Sequence, residues 1–255
     1  MGERTLIVGD IHGCWDEFRA LLDAARVGPS DRIVAVGDLC DRGPDAAQVL
    51  RFFMERPGAS SVMGNHEWKH VRGLGREAQW ITEWQCGYAF YTRAVAWMKQ
   101  LPFWIELPEA IVVHWGLAPS VALEQQSPLV LAGTMTGEKL LRQLTADQPW
   151  YDLYEGPKPV VFGHLSEASG AHRGLAYGLD TGVAHGNRLS GLVLPQFELI
   201  SVPAQEDHWA WVRAEHADHV AARRSARELL NEARTEAQIR AHIGKAAPEE
   251  KEDQA

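Results

Sequence analysis

Five short apolar runs, Leu6-Ile7-Val8, Ile33-Val34-Ala35-Val36, Ser61-Val62-Met63, Ile111-Val112-Val113 and Val160-Val161-Phe162, recur along the chain. They are apolar runs without clear alternation, the pattern of strands covered on both faces. Between the first two, Phe18, Leu21, Leu22 and Ala25 recur at helical spacing until Gly28-Pro29 ends the segment. Between the second and third, Pro44 to Glu55 repeats the arrangement with Val49, Leu50, Phe52 and Phe53. A β-α-β-α-β opening of this kind predicts an α/β sheet with helices on both sides.

The five runs end in chemically similar residues. Gly9-Asp10-Ile11-His12-Gly13 comes after the first, Gly37-Asp38-Leu39-Cys40-Asp41-Arg42-Gly43 after the second and Gly64-Asn65-His66-Glu67 after the third. The fourth runs into His114 and the fifth into Gly163-His164. Ligands of open α/β sheets gather at the carboxyl ends of strands, so these side chains can meet although they lie far apart in sequence. The glycines suit turns that need positive φ or a close backbone approach. A single Asp after a strand is often a turn former, and a lone His on an apolar strand is often a satisfied core residue. Five such ends in order point instead to a metal site. Mixed carboxylate, imidazole and amide donors suit Mn²⁺, Fe or Zn²⁺ better than Ca²⁺, whose ligands are all oxygen.

Composition narrows the partners. With 45% apolar and 23% charged residues in 255, the chain has the balance of an ordinary globular protein. Its formal charge of -9 leaves no general basic surface for a nucleic-acid backbone. Cys14, Cys40 and Cys86 fit no zinc ribbon or disulfide framework and read as reduced thiols of a cytoplasmic protein. No apolar run reaches membrane length, and the first strand candidate starts too near Met1 for a signal peptide.

Trp80, Trp84, Trp97 and Trp104, with Tyr88, Phe90 and Tyr91, mark residues 68–107 as a helical insertion whose aromatics pack a small subdomain. Gly191 to Leu194 and Phe197 to Val202 read as a hairpin at the edge of the sheet. Residues 205–244, rich in Ala, Arg and Glu, read as C-terminal amphipathic helices, and 245–255 as a disordered acidic tail.

The ordered motifs Gly-Asp-Ile-His-Gly, Gly-Asp-Leu-Cys-Asp-Arg-Gly, Gly-Asn-His-Glu, Val-His-Trp-Gly-Leu and Phe-Gly-His resemble the calcineurin-like metallophosphoesterases. Within them the resemblance is to the phosphoprotein phosphatase branch of bacterial serine/threonine phosphatases, with diadenosine tetraphosphatases and bacterial polynucleotide phosphatases as relatives. It covers residues 5–204 and implies a four-layer αββα sandwich as the catalytic domain, 1–204. It also implies two divalent ions, Mn²⁺ foremost, with Fe, Zn, Ni or Co as alternatives. Asp10 and His12 match ligands of the first ion, Asp38 the carboxylate shared by both, and Asn65, His114 and His164 the rest of the second. Two ions roughly 3.5–4 Å apart can hold a bridging hydroxide that attacks phosphorus, so no protein nucleophile is needed. Arg42 matches a phosphate-binding arginine, His66 a general acid and Asp41 the carboxylate that orients it.

Some positions depart from the family pattern. Arg142 is the one arginine between the last two histidine motifs and the candidate for a second phosphate contact. Trp115 and Leu165 stand where smaller or polar residues are usual and are expected to narrow the cleft. Asp180 and Thr181 match residues that support the ligand loops; His185 reads as a rim residue, and His70 and His172 as surface residues. The first expectation for function is a serine/threonine phosphatase acting on a phosphorylated protein or small phosphoester. Asp41 and Glu67 favour it, because tetraphosphatases of the family often replace both. The alternative is a diadenosine tetraphosphatase or a polynucleotide-end phosphatase, the latter disfavoured by the net charge. A third is an inactive metal-binding module that recruits partners through its C-terminal helices.

Overall fold

Successive residues of a strand point to opposite faces, and the first strand already divides two cores. Leu6 and Val8 pack with helices, whereas Ile7 lies in a different apolar layer. The computed structural model describes residues 4–168 and 170–245. In one sheet β1 (Thr5–Val8), β2 (Arg32–Ala35) and β3 (Ala59–Ser61) run parallel, and the hairpin of β9 (Arg188–Leu194) and β10 (Glu198–Pro203) pairs antiparallel on β1. A second sheet has the order β4 (Trp104–Glu106), β5 (Ile111–Val113), β6 (Val160–Phe162), β8 (Ala176–Gly178), β7 (Ala171–Arg173). Its β5, β6 and β8 are parallel.

The alternation in each strand builds four layers. Ile7, Val34, Val36 and Val62 of one sheet meet Val112, Val161 and Leu179 of the other. On the outer face of the first sheet, Leu6, Val8, Ile33 and Ala35 pack with Phe18 and Leu21 of α1 (Trp15–Ala24) and Val49, Leu50 and Phe53 of α2 (Ala46–Glu55). On the outer face of the second, Ile111, Val113, Val160 and Phe162 pack with Trp150, Val130 and Leu131 of α6 (Pro128–Leu131), and Leu141 of α7 (Met135–Leu144). Each fully buried side chain of this size contributes about 1.5–3 kcal/mol. The result is the αββα sandwich that the resemblance implies, and the strands expected to be covered on both faces are so covered.

The structure differs from the sequence reading in local ways. The third strand ends at Ser61, earlier than the apolar run, because Met63 N–H turns away to bond Pro102 O at 2.8 Å. The insertion supplies α3 (Asn65–Val71), α4 (Glu77–Cys86) and α5 (Tyr88–Met98). It closes with β4 rather than a helix, pairing Trp104 opposite Val113. Its aromatics differ in burial: Phe90 is buried, but Trp84 and Tyr88 are 63% and 82% exposed. Strands β7 and β8 leave no signal in the sequence, since three-residue strands carry too little periodicity.

The chain divides after Ala214. All but the last residue of α8 (His208–Glu215) lie in the first unit and the 29-residue α9 (Ala217–Lys245) lies in the second, while residues 246–255 of the expected tail lie outside the described residues. No described helix is long and apolar enough to cross a membrane. The start of α8 is tied to α1 by a buried pair, His208 Nε2 donating to Glu17 Oε1 at 2.7 Å, and Gln205 N–H donates to the same oxygen at 2.9 Å. The bond to Glu17 raises His208, while burial of Glu17 is outweighed by that bond, which lowers it. The pair therefore stabilises the fold above the ordinary carboxylate range and loses its contribution as pH rises through the folded-state pKa of His208. His208→Ala is expected to cost about 1–3 kcal/mol at about pH 6 and less at about pH 9, read from urea melts at the two pH values.

Candidate metal centre

Six strand ends deliver the site. The loop after β1 carries Asp10 and His12, the loop after β2 carries Asp38, Asp41 and Arg42, and Asn65 and His66 open α3 just after β3. His114 directly follows β5, His164 follows β6 and Asp180 follows β8, so both sheets contribute. His12, Asp38, Asp41, Arg42 and His164 all adopt left-handed backbone, with φ of 50°, 51°, 72°, 70° and 68°. Such conformations are uncommon outside glycine and concentrate at functional sites. The neighbouring Gly64 and Gly163 serve by closeness instead: a Cβ on Gly64 would strike Asp38 Oδ1, and one on Gly163 would strike Asp10 Oδ1.

Three imidazoles are turned the same way. His12 Nδ1 donates to Cys40 O at 3.1 Å, His114 Nδ1 to Val36 O at 2.9 Å, and His164 Nε2 to Glu138 Oε1 at 3.0 Å. Each is left with a lone pair on the nitrogen that faces the site, the tautomer that metal-ligating histidines hold. His114 Nε2 lies 3.1 Å from Asn65 Oδ1, 3.3 Å from His164 Nδ1 and 3.5 Å from Asp38 Oδ1. Asp38 Oδ2 looks the other way, 3.8 Å from His12 Nε2 and 3.9 Å from His66 Nε2. Asp10 joins this group, with ligand atoms of Asp10, Asp38 and His114 within 4.8 Å of one another.

Acceptors crowded together in this way need a positive partner. A half-turn of the Asn65 amide would direct its NH₂ at the same atoms and its oxygen at Lys69 Nζ, 3.1 Å away. A divalent cation meets the same need with the oxygen turned inward, and the donor set of carboxylate, imidazole and amide suits one. Arg42 supplies the remaining charge, its Nη1 donating to His12 Nε2 at 2.8 Å and its Nη2 to His66 Nε2 at 3.1 Å. Ligation through His12 would require that guanidinium to move off Nε2.

The electrostatics agree. Burial, then the Asp180 and Asp38 charges, push Asp10 well above the usual carboxylate range. Burial raises Asp38 too, but the facing His114, His66 and His12 and the His66 N–H at 3.0 Å outweigh it and hold Asp38 below that range. Burial pushes His114 down to about 4 and His12 well below its usual value, so both imidazoles are neutral at neutral pH, the form that metal ligation needs. Burial and the Asp38 charge push Glu67 up to about 7, against its bonds from Asp38 N–H at 2.8 Å and Leu39 N–H at 2.9 Å.

Other expectations meet mixed outcomes. His66 Nδ1 bonds Asp41 Oδ2 at 2.6 Å, the juxtaposition an acid and its orienting carboxylate need. His70 is no surface residue; it is buried and donates to Asp41 Oδ1 at 2.9 Å, because α3 folds its inner face over the loop after β2. Thr181 and Asp180 brace the adjoining turn, Thr181 through Arg188 O and Ser190 and Asp180 through Gly182 N–H. His172 and His185 are exposed. Trp115 is buried in the outer core behind His164, ring centroids 5.6 Å apart, so it backs that imidazole rather than narrowing the cleft. Arg142 is exposed on the last turn of α7, one turn beyond Glu138. Glu138 itself escaped the sequence reading, since one acid among the polar residues of an amphipathic helix looks solvated.

A buried cluster of carboxylates, imidazoles and an amide at the strand ends of a double-sheet α/β fold is fit to hold divalent metal ions. Residues 3–244 match the calcineurin-like phosphoesterase family, and the chain belongs to it. The chain is 30% identical to the asymmetrical bis(5'-nucleosyl)-tetraphosphatase PrpE of Bacillus cereus, over 78% of its own length and 93% of that protein's. A crystal structure named provisionally as a diadenosine tetraphosphatase superposes with a TM-score of 0.66 at 32% identity, over 79% of this chain and 94% of that one. A serine/threonine phosphatase from Saccharomyces cerevisiae shares the fold, with a TM-score of 0.53 at 15% identity over 79% of each chain. The family implies divalent metal ions.

Glu138→Gln keeps the shape of the side chain but gives His164 a weaker acceptor. It is expected to weaken Mn²⁺ binding to stripped protein about 10–100-fold by titration calorimetry. Unchanged affinity would take His164 out of the ligand set.

Proposed function

We propose that the chain cleaves dinucleoside tetraphosphates asymmetrically, with two Mn²⁺ ions held by Asp10, His12, Asp38, Asn65, His114 and His164. The observation that carries this reading is the likeness to the Bacillus cereus tetraphosphatase, which runs over 93% of that protein's length. The serine/threonine phosphatase reading leaned on Asp41 and Glu67, and both side chains are fully buried. Asp41 bonds His66 and His70, and Glu67 bonds the backbone N–H groups of Asp38, Leu39 and Gly64. Side chains committed to bracing the site do not choose a substrate. Fold likeness at 15% identity does not choose one either.

The ions, when bound, supply positive charge for phosphoryl oxygens and acidity for the attacking water. Everything else falls to the chain. Arg42 offers a planar fork that matches two phosphate oxygens. Once Arg42 leaves His66 Nε2 for phosphate, that nitrogen is open to carry a proton and give it to the departing oxygen as the phosphorus–oxygen bond breaks, while Asp41 fixes the ring from Nδ1. Lys139 and Arg142 line a surface cleft of about 320 Å³ with Glu138, the partner of His164. A tetraphosphate has phosphates beyond the one attacked, and these two cations are suited to them.

Stripped protein given Mn²⁺ and diadenosine tetraphosphate is expected to release ATP and AMP, resolved by chromatography, and Asp38→Asn to lose that metal-dependent turnover. Formation of two ADP, or faster turnover of a phosphopeptide, would overturn the reading. Arg142→Ala is expected to raise KM for the tetraphosphate about tenfold while leaving p-nitrophenyl phosphate within about twofold, since only the longer substrate reaches it.

A further inference from the structure

His66 and His70 are four residues apart on α3, a spacing that puts both on one helical face. That face lies on Asp41. His66 Nδ1 bonds its Oδ2 at 2.6 Å, and His70 Nε2 bonds its Oδ1 at 2.9 Å. Thr82 Oγ1 donates to Oδ1 at 2.7 Å and accepts from the Asp41 backbone N–H at 3.1 Å, and the Gln79 amide donates to Oδ2. An ionised carboxylate offers about four acceptor positions, and here they are filled. His70 is itself fixed from behind, its Nδ1 3.0 Å from the Tyr91 hydroxyl.

The origin of these partners is informative. His70 comes from α3, Gln79 and Thr82 from α4, and Tyr91 from α5, so each helix of the insertion contributes. Gln85 of α4 adds a bond to Gly43 O, at 3.0 Å, in the same loop. A carboxylate turns readily about its last torsion, for which side chains have only broad preferences. Without His70, Oδ1 keeps only the Thr82 hydroxyl, whose hydrogen can turn with it, so Asp41 gains freedom to rotate and the imidazole would follow.

We propose that His70 is a positioning residue for phosphoester cleavage, locking the Asp41 carboxylate so that Oδ2 stays aimed at His66. This rests on His66 being the proton donor to the leaving oxygen. His66 gives up its Nε2 proton as the phosphorus–oxygen bond breaks, and Asp41 remains an anion throughout. The insertion thereby serves the acid pair.

The test compares two aryl phosphates that differ in how much the leaving oxygen needs a proton. The full chain loaded with Mn²⁺ is assayed on phenyl phosphate, a poor leaving group, and p-nitrophenyl phosphate, a good one. His70→Ala is expected to lower kcat for phenyl phosphate about tenfold or more and for p-nitrophenyl phosphate less than about threefold. His70→Gln, whose amide can donate to Oδ1, is expected to recover most of the loss. His66→Ala should show the same selectivity with a larger effect, about 10²-fold or more on phenyl phosphate. Equal losses on both substrates in His70→Ala, with a lowered Tm, would mean simple packing and overturn the proposal. A selective His66→Ala with an unselective His70→Ala overturns the proposal and leaves the acid standing, whereas an unselective His66→Ala removes both. Should His70→Ala not fold, Tyr91→Phe removes only the hydroxyl behind His70 and is expected to act in the same direction by about two- to fivefold. No selective change there overturns the proposal.

Discussion

An ionised carboxylate withdrawn from water costs several kcal/mol unless charges and donors surround it, and Asp38 is 2% exposed. The fold answers that cost from several directions. Asp38 Oδ1 takes the His66 backbone N–H and faces His114, and Oδ2 faces His12 and His66. The Asp38 backbone N–H is fixed by Glu67, whose other bonds run to Leu39 and Gly64. Strand ends from two sheets are therefore tied to one carboxylate. The arrangement also leaves a deficit of positive charge beside it, because His12 and His114 are held neutral by burial. A cation completes what the fold leaves open.

Holding these groups so close also strains the backbone. Left-handed conformation in a non-glycine residue costs roughly 1–2 kcal/mol, and five residues of the site bear it. The strain is concentrated where ligands must leave a strand and turn back at once, and it is sustained by packing that leaves no alternative. The carboxylates of Asp10 and Asp38 lie directly over Gly163 and Gly64. A methyl group at either glycine would displace one of these carboxylates, which is a stricter demand on sequence than turn geometry alone.

The parts of the fold that were legible in the sequence are those with long-range consequences written into short signals. Leu6-Ile7-Val8 followed by Asp10 and His12 can be read because burial on both faces removes all alternation and the motif marks the strand end. The split of those strands between two sheets is not legible, since Ile7 and Val112 share a layer only through tertiary packing. Strands β4, β7 and β8 hide because three residues give no periodicity. His70 could have been found: its position four residues after His66, at the start of a helix capped by Gly64, predicts a shared face. Glu138 could not, because nothing in an amphipathic helix distinguishes an acid that reaches a histidine on another loop from one that meets water.

The bonding of the insertion bears on where substrate choice resides. Its inward side chains, His70, Gln79, Thr82 and Gln85, are engaged with the loop after β2. They are not available to recognise what lies beyond the scissile bond. On the opposite sheet α7 is anchored at two points, by Leu141 in the outer core and by Glu138 on His164, while Lys139 and Arg142 stay exposed. A helix fixed to a candidate ligand at one side chain and free at the next is the better placed element for reading a long polyanion. The division follows from which side chains are already satisfied: those of the insertion hold Asp41 and its loop, and those of α7 still have charge to offer.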